Sequence, residues 1–307
     1  MKPDEQIRAI LTPKFDGSSL RYPSVPEGYT IREYQRQWTA DNGNLPDYLN
    51  DFQQAYYFFE QLAAALAQDA AVIYAFHVHV VWPGHKPLSA LELLADGLVQ
   101  VAEQYAVMFT SANGTMGEEL SVTLQATALA EIDHASYLPA TGDSLLLFAP
   151  FGEAQLGALL LERGVQNIPA EFDEGERQRF IAAFLQPPPA LLIARVLKQH
   201  GIPFRAFALP DVFISLHAAL ADDALKEYSV QWNHQNVISE TVHRAALALG
   251  IEPDTLQYGD DNQLMWLLPS SRCEEASKFL GQRFELSAIQ AGILLPVSCP
   301  PSVEEQS

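Results

Sequence analysis

The feature that most constrains the fold is the run from Ala70 to Trp82, AAVIYAFHVHVVW, which is rich in β-branched and aromatic residues. Read as a β-strand, the run places alternate side chains on opposite faces. One face is apolar throughout: Val72, Tyr74, Phe76, Val78, Val80 and Trp82. The other face is small and apolar apart from two imidazoles: Ala71, Ile73, Ala75, His77, His79 and Val81. We therefore predict a central strand whose first face lies on a core and whose second face is covered or lines a cleft.

Amphipathic helices are predicted on both sides of this strand. From Leu45 to about Ala67, apolar side chains recur at steps of three and four residues, while Glu60 falls on the polar side. Aromatic residues mark the apolar side of this helix: Phe52, Tyr56 and Phe59. A second helix is predicted from Ser89 to Gln104, with its buried side formed by Leu91, Leu94, Leu98 and Val101.

Further strands are predicted after the second helix. Ala106–Thr110 has the composition of a short strand, and Asn113-Gly114 is the strongest hairpin-turn signal in the chain. Leu120–Ile132 alternates in polarity, and Ser144–Ala149 is a short apolar run. We therefore expect an antiparallel or mixed sheet of about four strands with helices on one side.

The second half of the chain also mixes helices with short strands, without a detectable sequence repeat. We predict an α+β fold with mixed or antiparallel sheets and packed helices, made of two similar-sized α+β halves. The N-terminal domain is predicted over residues 1–164 and the C-terminal domain over residues 165–307. The boundary is expected near the Pro187–Pro189 run, because prolines interrupt the helical pattern there.

The charge balance restricts the partners of the protein. The chain has 18 Lys and Arg against 38 Asp and Glu, which gives a formal net charge of −20. Nucleic acid is not expected as a partner, because binding to phosphates requires a basic surface. An acidic protein instead favours cations or basic partners.

The acids are concentrated in one interval of the chain. Between Lys86 and Arg163 there is no Lys or Arg, and the interval holds ten acids. They are Glu92, Asp96, Glu103, Glu118, Glu119, Glu131, Asp133, Asp143, Glu153 and Glu162. Solvation alone can explain such an interval. The sharper hypothesis is a docking face for a basic protein segment, with Glu118, Glu119, Glu131 and Asp133 as the partner-binding residues.

The two histidines of the central strand are the candidate metal ligands. His77 and His79 share one strand face, and His134, Glu131 and Asp133 could approach from a neighbouring strand. Imidazole and carboxylate groups suit zinc, iron or manganese. The set His77, His79 and His134 therefore defines a possible divalent-metal site. The alternative is that these imidazoles are held by hydrogen bonds or packed at a sheet edge.

Neither targeting signals nor standard catalytic motifs are found. No apolar run is long enough for a membrane span, and the N-terminus has no signal-peptide core. Two distant cysteines, Cys273 and Cys299, do not form a disulfide framework, so we predict a cytoplasmic protein that does not act at a membrane. Gly-rich phosphate loops, Cys-x-x-Cys and His-Glu-x-x-His are absent, which excludes only the classes that these motifs define.

Together, the acidic bias and the missing catalytic set favour a non-catalytic acidic protein-interaction module. Such a module would be an adaptor, an immunity-type inhibitor or a chaperone for a basic partner, with no cofactor. The alternative is a metal-dependent enzyme centred on His77 and His79. A third hypothesis is a regulator that binds a small molecule through the aromatic helix at Tyr56, Tyr57 and Phe59.

Overall fold

The computed structural model describes residues 2–14, 25–39, 48–107, 109–132, 137–164, 172–208, 228–233, 238–258 and 263–297. Within these ranges the chain forms eight α-helices and nine β-strands. The elements before residue 140 are α1 (Pro3–Leu11), β1 (Tyr29–Thr39), α2 (Asp51–Gln68), β2 (Val72–Pro83), α3 (Leu88–Gln104), β3 (Phe109–Gly117) and β4 (Ser121–Glu131).

The elements after residue 140 follow the same mixture of helices and strands. They are β5 (Ser144–Leu147), α4 (Glu153–Arg163), α5 (Glu174–Leu185), α6 (Ala190–Gln199), β6 (Arg205–Ala208), β7 (Tyr228–Trp232), α7 (Glu240–Ala248), β8 (Leu264–Leu268), α8 (Cys273–Phe284) and β9 (Ile289–Pro296). Short 3₁₀ turns cover Thr12–Lys14, Pro253–Tyr258 and Ser270–Arg272.

The first sheet is mixed and has the strand order β1-β4-β2-β3. Strand β4 runs antiparallel to both β1 and β2, while β2 and β3 are parallel. Parallel neighbours cannot be joined by a tight turn, and α3 provides the crossover between them. The predicted hairpin at Asn113-Gly114 is therefore wrong, because both residues lie inside β3 and pair with β2.

One face of the first sheet carries the core of the N-terminal half. Phe76, Val78, Val80 and Trp82 of β2 are all at most 2% exposed, as the alternating pattern predicts. Val72, which was predicted on the same face, is 41% exposed, because the pairing of β2 with β4 shifts register between Ile73 and Ala75. They pack in one cluster with residues from α1, α2 and α3. Aromatic contacts bind α2 to the sheet, since Phe59 lies 5.4 Å from Phe76 between ring centroids.

The second sheet is antiparallel, and its strands β5 and β8 are buried on both faces. Its strand order is β6-β8-β5-β9-β7. Every residue of β5 and β8 is buried, which explains their continuous apolar sequences SLLL and LMWLL. Leu146 and Trp266 belong to a cluster that includes α6 and α8, whereas Leu145 and Leu267 belong to a separate cluster.

The predicted fold class is confirmed: the molecule is α+β, with one mixed and one antiparallel sheet and with helices packed on them. The membership of the first sheet differs from the expectation in one respect. Strand β5 pairs with β8 and β9 of the second sheet, and the fourth position of the first sheet is taken by β1. The division at residue 164 stays a prediction, and β5 shows that the second sheet draws on chain before that position.

The two halves meet along α2. Helix α6 packs against α2, and Arg195 of α6 donates a hydrogen bond from Nη1 to the carbonyl of Tyr105, 2.8 Å away. The ring of Tyr57 lies 6.1 Å from that of Phe184 at the end of α5. Helix α2 is therefore covered on two sides, by its own sheet and by the second half.

None of the described helices is by itself long and apolar enough to cross a membrane. Helices α5 and α6 satisfy the length and composition only as a pair, and they are bent by 70° relative to each other.

Candidate functional site

The open face of the first sheet is lined by polar side chains from all four strands. On β2, β3 and β4 the residues that alternate with the core positions point to this face. They enclose a depression of about 360 Å³, which we call the sheet-face depression. Its lining residues are Glu33, His77, Val78, His79, Ser111, Asn113, Thr123, Gln125 and Thr127. Most of them carry a hydroxyl, amide or imidazole group, and Glu33 is the single carboxylate of the set.

His77 is held by hydroxyl groups of β3. Its Nδ1 lies 2.7 Å from the hydroxyl oxygen of Ser111, which is its partner in the parallel register. Thr110 donates its hydroxyl to the carbonyl of Phe76 at 3.0 Å and lies within 3.3 Å of both ring nitrogens of His77. The register of β2 against β3 shifts between Phe76 and His77, which brings both hydroxyls to one imidazole.

The structure describes two of the three predicted metal ligands. His77 and His79 share the strand face and the depression, as their spacing predicts. His134, the third proposed ligand, lies outside the described residues. Among the described residues, no group of three His, Cys, Asp or Glu side chains is arranged to hold a metal ion. A divalent metal at His77 and His79 stays a prediction.

The polar contacts of β3 were not predicted from the sequence. Asn113 pairs with His79 in the register and accepts a hydrogen bond at Oδ1 from the backbone N–H of Gly114, 3.2 Å away. Ser111 is exposed on the same face. The alternation of Ser111, Asn113 and Thr115 could have indicated a polar strand face, but the Asn-Gly turn signal outweighed it.

A second depression lies between the two sheets, and we call it the inter-sheet cleft. It has a volume of about 260 Å³. Its lining residues are Arg32, Gln68, Asp69, Glu131, Ile132, Arg205, Ala206 and Phe207. It therefore combines the end of α2 and strands β1 and β4 of the first sheet with β6 of the second.

Both carboxylates of the inter-sheet cleft are paired with cations. Arg32 forms an ion pair with Asp69 at 2.9 Å, and Asp69 also accepts the hydroxyl of Tyr34 at 2.6 Å. The hydrogen bond and charge of Asp69 raise the pKa of Arg32, and burial raises the pKa of Tyr34. Glu131 pairs with Lys198 at 2.8 Å. Cations from distant segments thus neutralise both carboxylates of this cleft.

The structure does not bring the proposed partner-binding acids together. Glu118 and Glu119 are exposed in the turn that joins β3 to β4. Glu131 ends β4, about 30 Å away at the usual rise per strand residue, and it also accepts the hydroxyl of Tyr29. Asp133 lies outside the described residues. A basic protein segment as partner stays a prediction.

Comparison with known proteins identifies the fold. No family model matches the chain, and no curated protein matches it in sequence. Solved structures match over most of its length. Thiamine-monophosphate kinase from Stenotrophomonas maltophilia is 16% identical, with a TM-score of 0.70 over 95% of this chain and 92% of its own.

Two further structures were determined with ligands. Hydrogenase maturation protein HypE in complex with ATP is 13% identical, with a TM-score of 0.70 over 97% of this chain and 88% of its own. AaThiL complexed with AMPPCP and TMP is also 13% identical, with a TM-score of 0.67 over 95% of this chain and 89% of its own. At these identities the similarity establishes a shared fold.

The prediction of a non-catalytic acidic interaction module, and its emphasis on protein binding, is wrong in the light of this fold. The structures that share its fold are a thiamine-monophosphate kinase and a hydrogenase maturation protein in complex with ATP. The error has a physical origin. Net charge describes the solvated surface and not the fold, and the absence of a Gly-rich phosphate loop excludes only the classes that use one.

Proposed function

We propose that the protein is an ATP-utilising enzyme that binds the nucleotide in the sheet-face depression. The observation that carries the proposal is the extent of the fold similarity. Two different proteins, one obtained with ATP and one with AMPPCP and TMP, share the architecture over at least 95% of this chain. A role in ATP chemistry also agrees with the cytoplasmic location predicted from the cysteines.

The composition of the sheet-face depression supports it as the nucleotide site. Phosphate oxygens and ribose hydroxyls are satisfied by hydrogen-bond donors, and the lining supplies hydroxyl, amide and imidazole groups from β2, β3 and β4. Its volume of about 360 Å³ lies within the usual range for small-molecule sites, roughly 300–1,000 Å³. The inter-sheet cleft is smaller than the sheet-face depression. Its Arg32 side chain forms an ion pair with Asp69, so this guanidinium already has an anionic partner.

Glu33 is the residue that we expect to interact with the cation that accompanies ATP. It is the carboxylate among the lining residues, and its Oε2 accepts a long hydrogen bond of 3.5 Å from Gln125. Mg²⁺ prefers oxygen ligands and is usually held by one or two carboxylates together with the nucleotide phosphates. In this proposal the imidazoles contact the nucleotide, because nitrogen ligands are a poor match for magnesium.

Calorimetric titration with ATP and with AMPPCP, each in the presence of magnesium, tests the proposal. We expect binding by the wild-type chain and a loss of roughly tenfold or more in affinity in a Thr123→Val, Gln125→Leu double variant, because a hydrogen bond to a charged group contributes about 1.5–3 kcal/mol. Formation of ADP, followed in a coupled assay, tests turnover.

Arg32→Gln is the matched control, since it removes a positive charge from the inter-sheet cleft and leaves the sheet face unchanged. Its affinity for ATP should equal that of the wild type. If this variant loses affinity while the double variant retains it, the nucleotide site is wrongly placed. If the wild-type chain binds neither nucleotide at millimolar concentration, the proposed function is wrong.

A further inference from the structure

The contact between Ser111 and His77 has the geometry of a nucleophile and its base. The Ser111 hydroxyl oxygen lies 2.7 Å from Nδ1 of His77, within the range needed for direct proton transfer. Ser111 is exposed, so an electrophile can reach its oxygen from the open face of the sheet. A serine hydroxyl is a weak nucleophile alone and gains reactivity from an adjacent base.

Both side chains are held on rigid elements. His77 and Ser111 are register partners in the parallel pair of β2 and β3, so the backbone hydrogen bonds of the sheet fix their separation. Thr110 adds a second support, because its hydroxyl is anchored on the carbonyl of Phe76 and contacts the imidazole ring. A site built on strands is held more accurately than a site on loops.

Asn113 supplies a donor beside this pair. It lies two residues after Ser111 and therefore on the same face of β3. Its Oδ1 accepts the N–H of Gly114 at 3.2 Å, and this bond leaves the amide NH₂ group as a donor. A donor of this kind stabilises the negative charge that develops on an oxygen of the group under attack.

We propose that Ser111 is a nucleophile with His77 as its general base, and that it accepts the γ-phosphoryl group of ATP. The choice of ATP as donor rests on the proposed function, because both residues line the same depression. The Ser111 oxygen attacks the γ-phosphorus and forms an O–P bond, while the bond from that phosphorus to the β,γ-bridging oxygen breaks. The electron pair leaves with ADP, and the Ser111 proton passes to Nδ1 of His77. The products are phosphoserine 111, ADP and an imidazolium.

Two reagents test the pair, and only one of them depends on ATP. A fluorophosphonate probe reacts with activated serines by losing fluoride, and peptide mass spectrometry locates the adduct. ATP labelled in the γ-phosphate, supplied with magnesium, is followed in the same way. We expect both reagents to modify Ser111 in the wild-type chain and neither to modify it in Ser111→Ala.

His77→Gln keeps a hydrogen-bonding group beside Ser111 but cannot take up the proton. General-base catalysis contributes typically about 10²–10⁴-fold, so the rate of fluorophosphonate labelling should fall by at least roughly 100-fold in this variant. His85→Gln is the matched control, because His85 is an exposed imidazole in the turn after β2. Ser121 is an internal control, since its hydroxyl accepts a bond from Gln37, and it should stay unmodified.

The outcomes separate this inference from the proposed function. If calorimetry shows ATP binding while neither reagent modifies Ser111, the inference is overturned and the nucleotide-binding role stands. If Ser111 reacts with the fluorophosphonate but receives no phosphate from bound ATP, ATP as the donor is overturned. Labelling at an equal rate in His77→Gln overturns the role of His77. If ATP does not bind but labelling of Ser111 depends on His77, the nucleophile–base pair is supported and ATP utilisation fails.

Discussion

Glu60 is half-buried between the two halves, beside Phe184 and Leu185 of α5, although its position on α2 predicted an exposed side. Both of its carboxylate oxygens accept the hydroxyl of Tyr105, at 2.6 and 2.7 Å. Burial raises the pKa of Glu60 from 4.5 to about 8, and the hydrogen bond from Tyr105 opposes part of that rise. The α2 sequence shows one apolar stripe, but it does not show that α6 covers the opposite side.

The raised pKa makes the stability of the protein depend on pH. Between pH 4.5 and about 8 the folded state keeps the Glu60 proton while the unfolded state releases it. The free energy of unfolding should therefore decrease with rising pH across this window, by up to about 1.4 kcal/mol per pH unit from this group. Glu60→Gln is neutral at every pH and removes this contribution.

Urea unfolding at pH 5.5 and at pH 8.5 measures the difference. We expect the stability advantage of Glu60→Gln over the wild type to be clearly larger at pH 8.5 than at pH 5.5. Glu103→Gln, which changes an exposed acid near the end of α3, serves as the control and should follow the wild type at both values. An unchanged gap between wild type and Glu60→Gln at the two pH values would contradict buried titration of this group.

Strand β3 contains Asn113-Gly114, the dipeptide that most strongly predicted a turn at this point of the sequence. Asn-Gly favours a hairpin turn because both residues tolerate positive φ, yet here the glycine serves a different need. A Cβ placed on Gly114 would lie 3.0 Å from Leu11 and still closer to Ile7, so α1 can approach the sheet only over a residue without a side chain. Such close approach is the second common reason for glycine in a strand.

Gly114→Ala is therefore expected to push α1 away from β3 and to destabilise the protein by about 1–3 kcal/mol, the usual cost of overpacking. Combining it with Ile7→Ala should cost less than the sum of the two single changes, because the smaller side chain leaves room for the new methyl group. Chemical denaturation of the three variants measures the coupling. Gly84→Ala is the control, since a Cβ there meets Met116 only at 3.6 Å. Strict additivity would show that Ile7 and Gly114 are not in tight contact.

The elements that were predicted correctly are those whose own sequence has a clear pattern of apolar and polar residues. Strand β2 alternates in burial from Phe76 to Trp82, and α2 and α3 have apolar residues at helical spacing. Strand β1 was missed because it is an edge strand with exposed residues on both faces, and Trp38 is its one fully buried residue. The contact between His77 and Ser111 could not be predicted, because it depends on the parallel register of β2 and β3.

At the scale of the whole molecule, the excess of acidic residues was a poor guide to function. In the described part of the interval between Lys86 and Arg163, several acids form ion pairs with cations from other segments: Asp96 with Lys14, Glu131 with Lys198 and Glu153 with Arg179. Asp143 accepts the hydroxyl of Tyr137 and the N–H of Ala140. The linear interval is thus divided among separate local environments. The fold, which is shared with solved structures over most of the chain, contradicts the interaction module that this interval suggested.

The remaining charge excess has a consequence for stability. With 38 acids against 18 basic residues, pairing every cation still leaves 20 acids that repel one another in the compact state. Exposed ion pairs contribute only about 0–1 kcal/mol each, so repulsion should dominate the response to salt.

We expect the melting temperature to rise when sodium chloride is increased from about 10 to 150 mM, as the Debye length falls from about 30 to 8 Å. Scanning calorimetry measures it, with an equal osmolality of sucrose as the control for non-ionic effects. A melting temperature that falls with salt would mean that attractive pairs, such as those of the inter-sheet cleft, outweigh the surface repulsion.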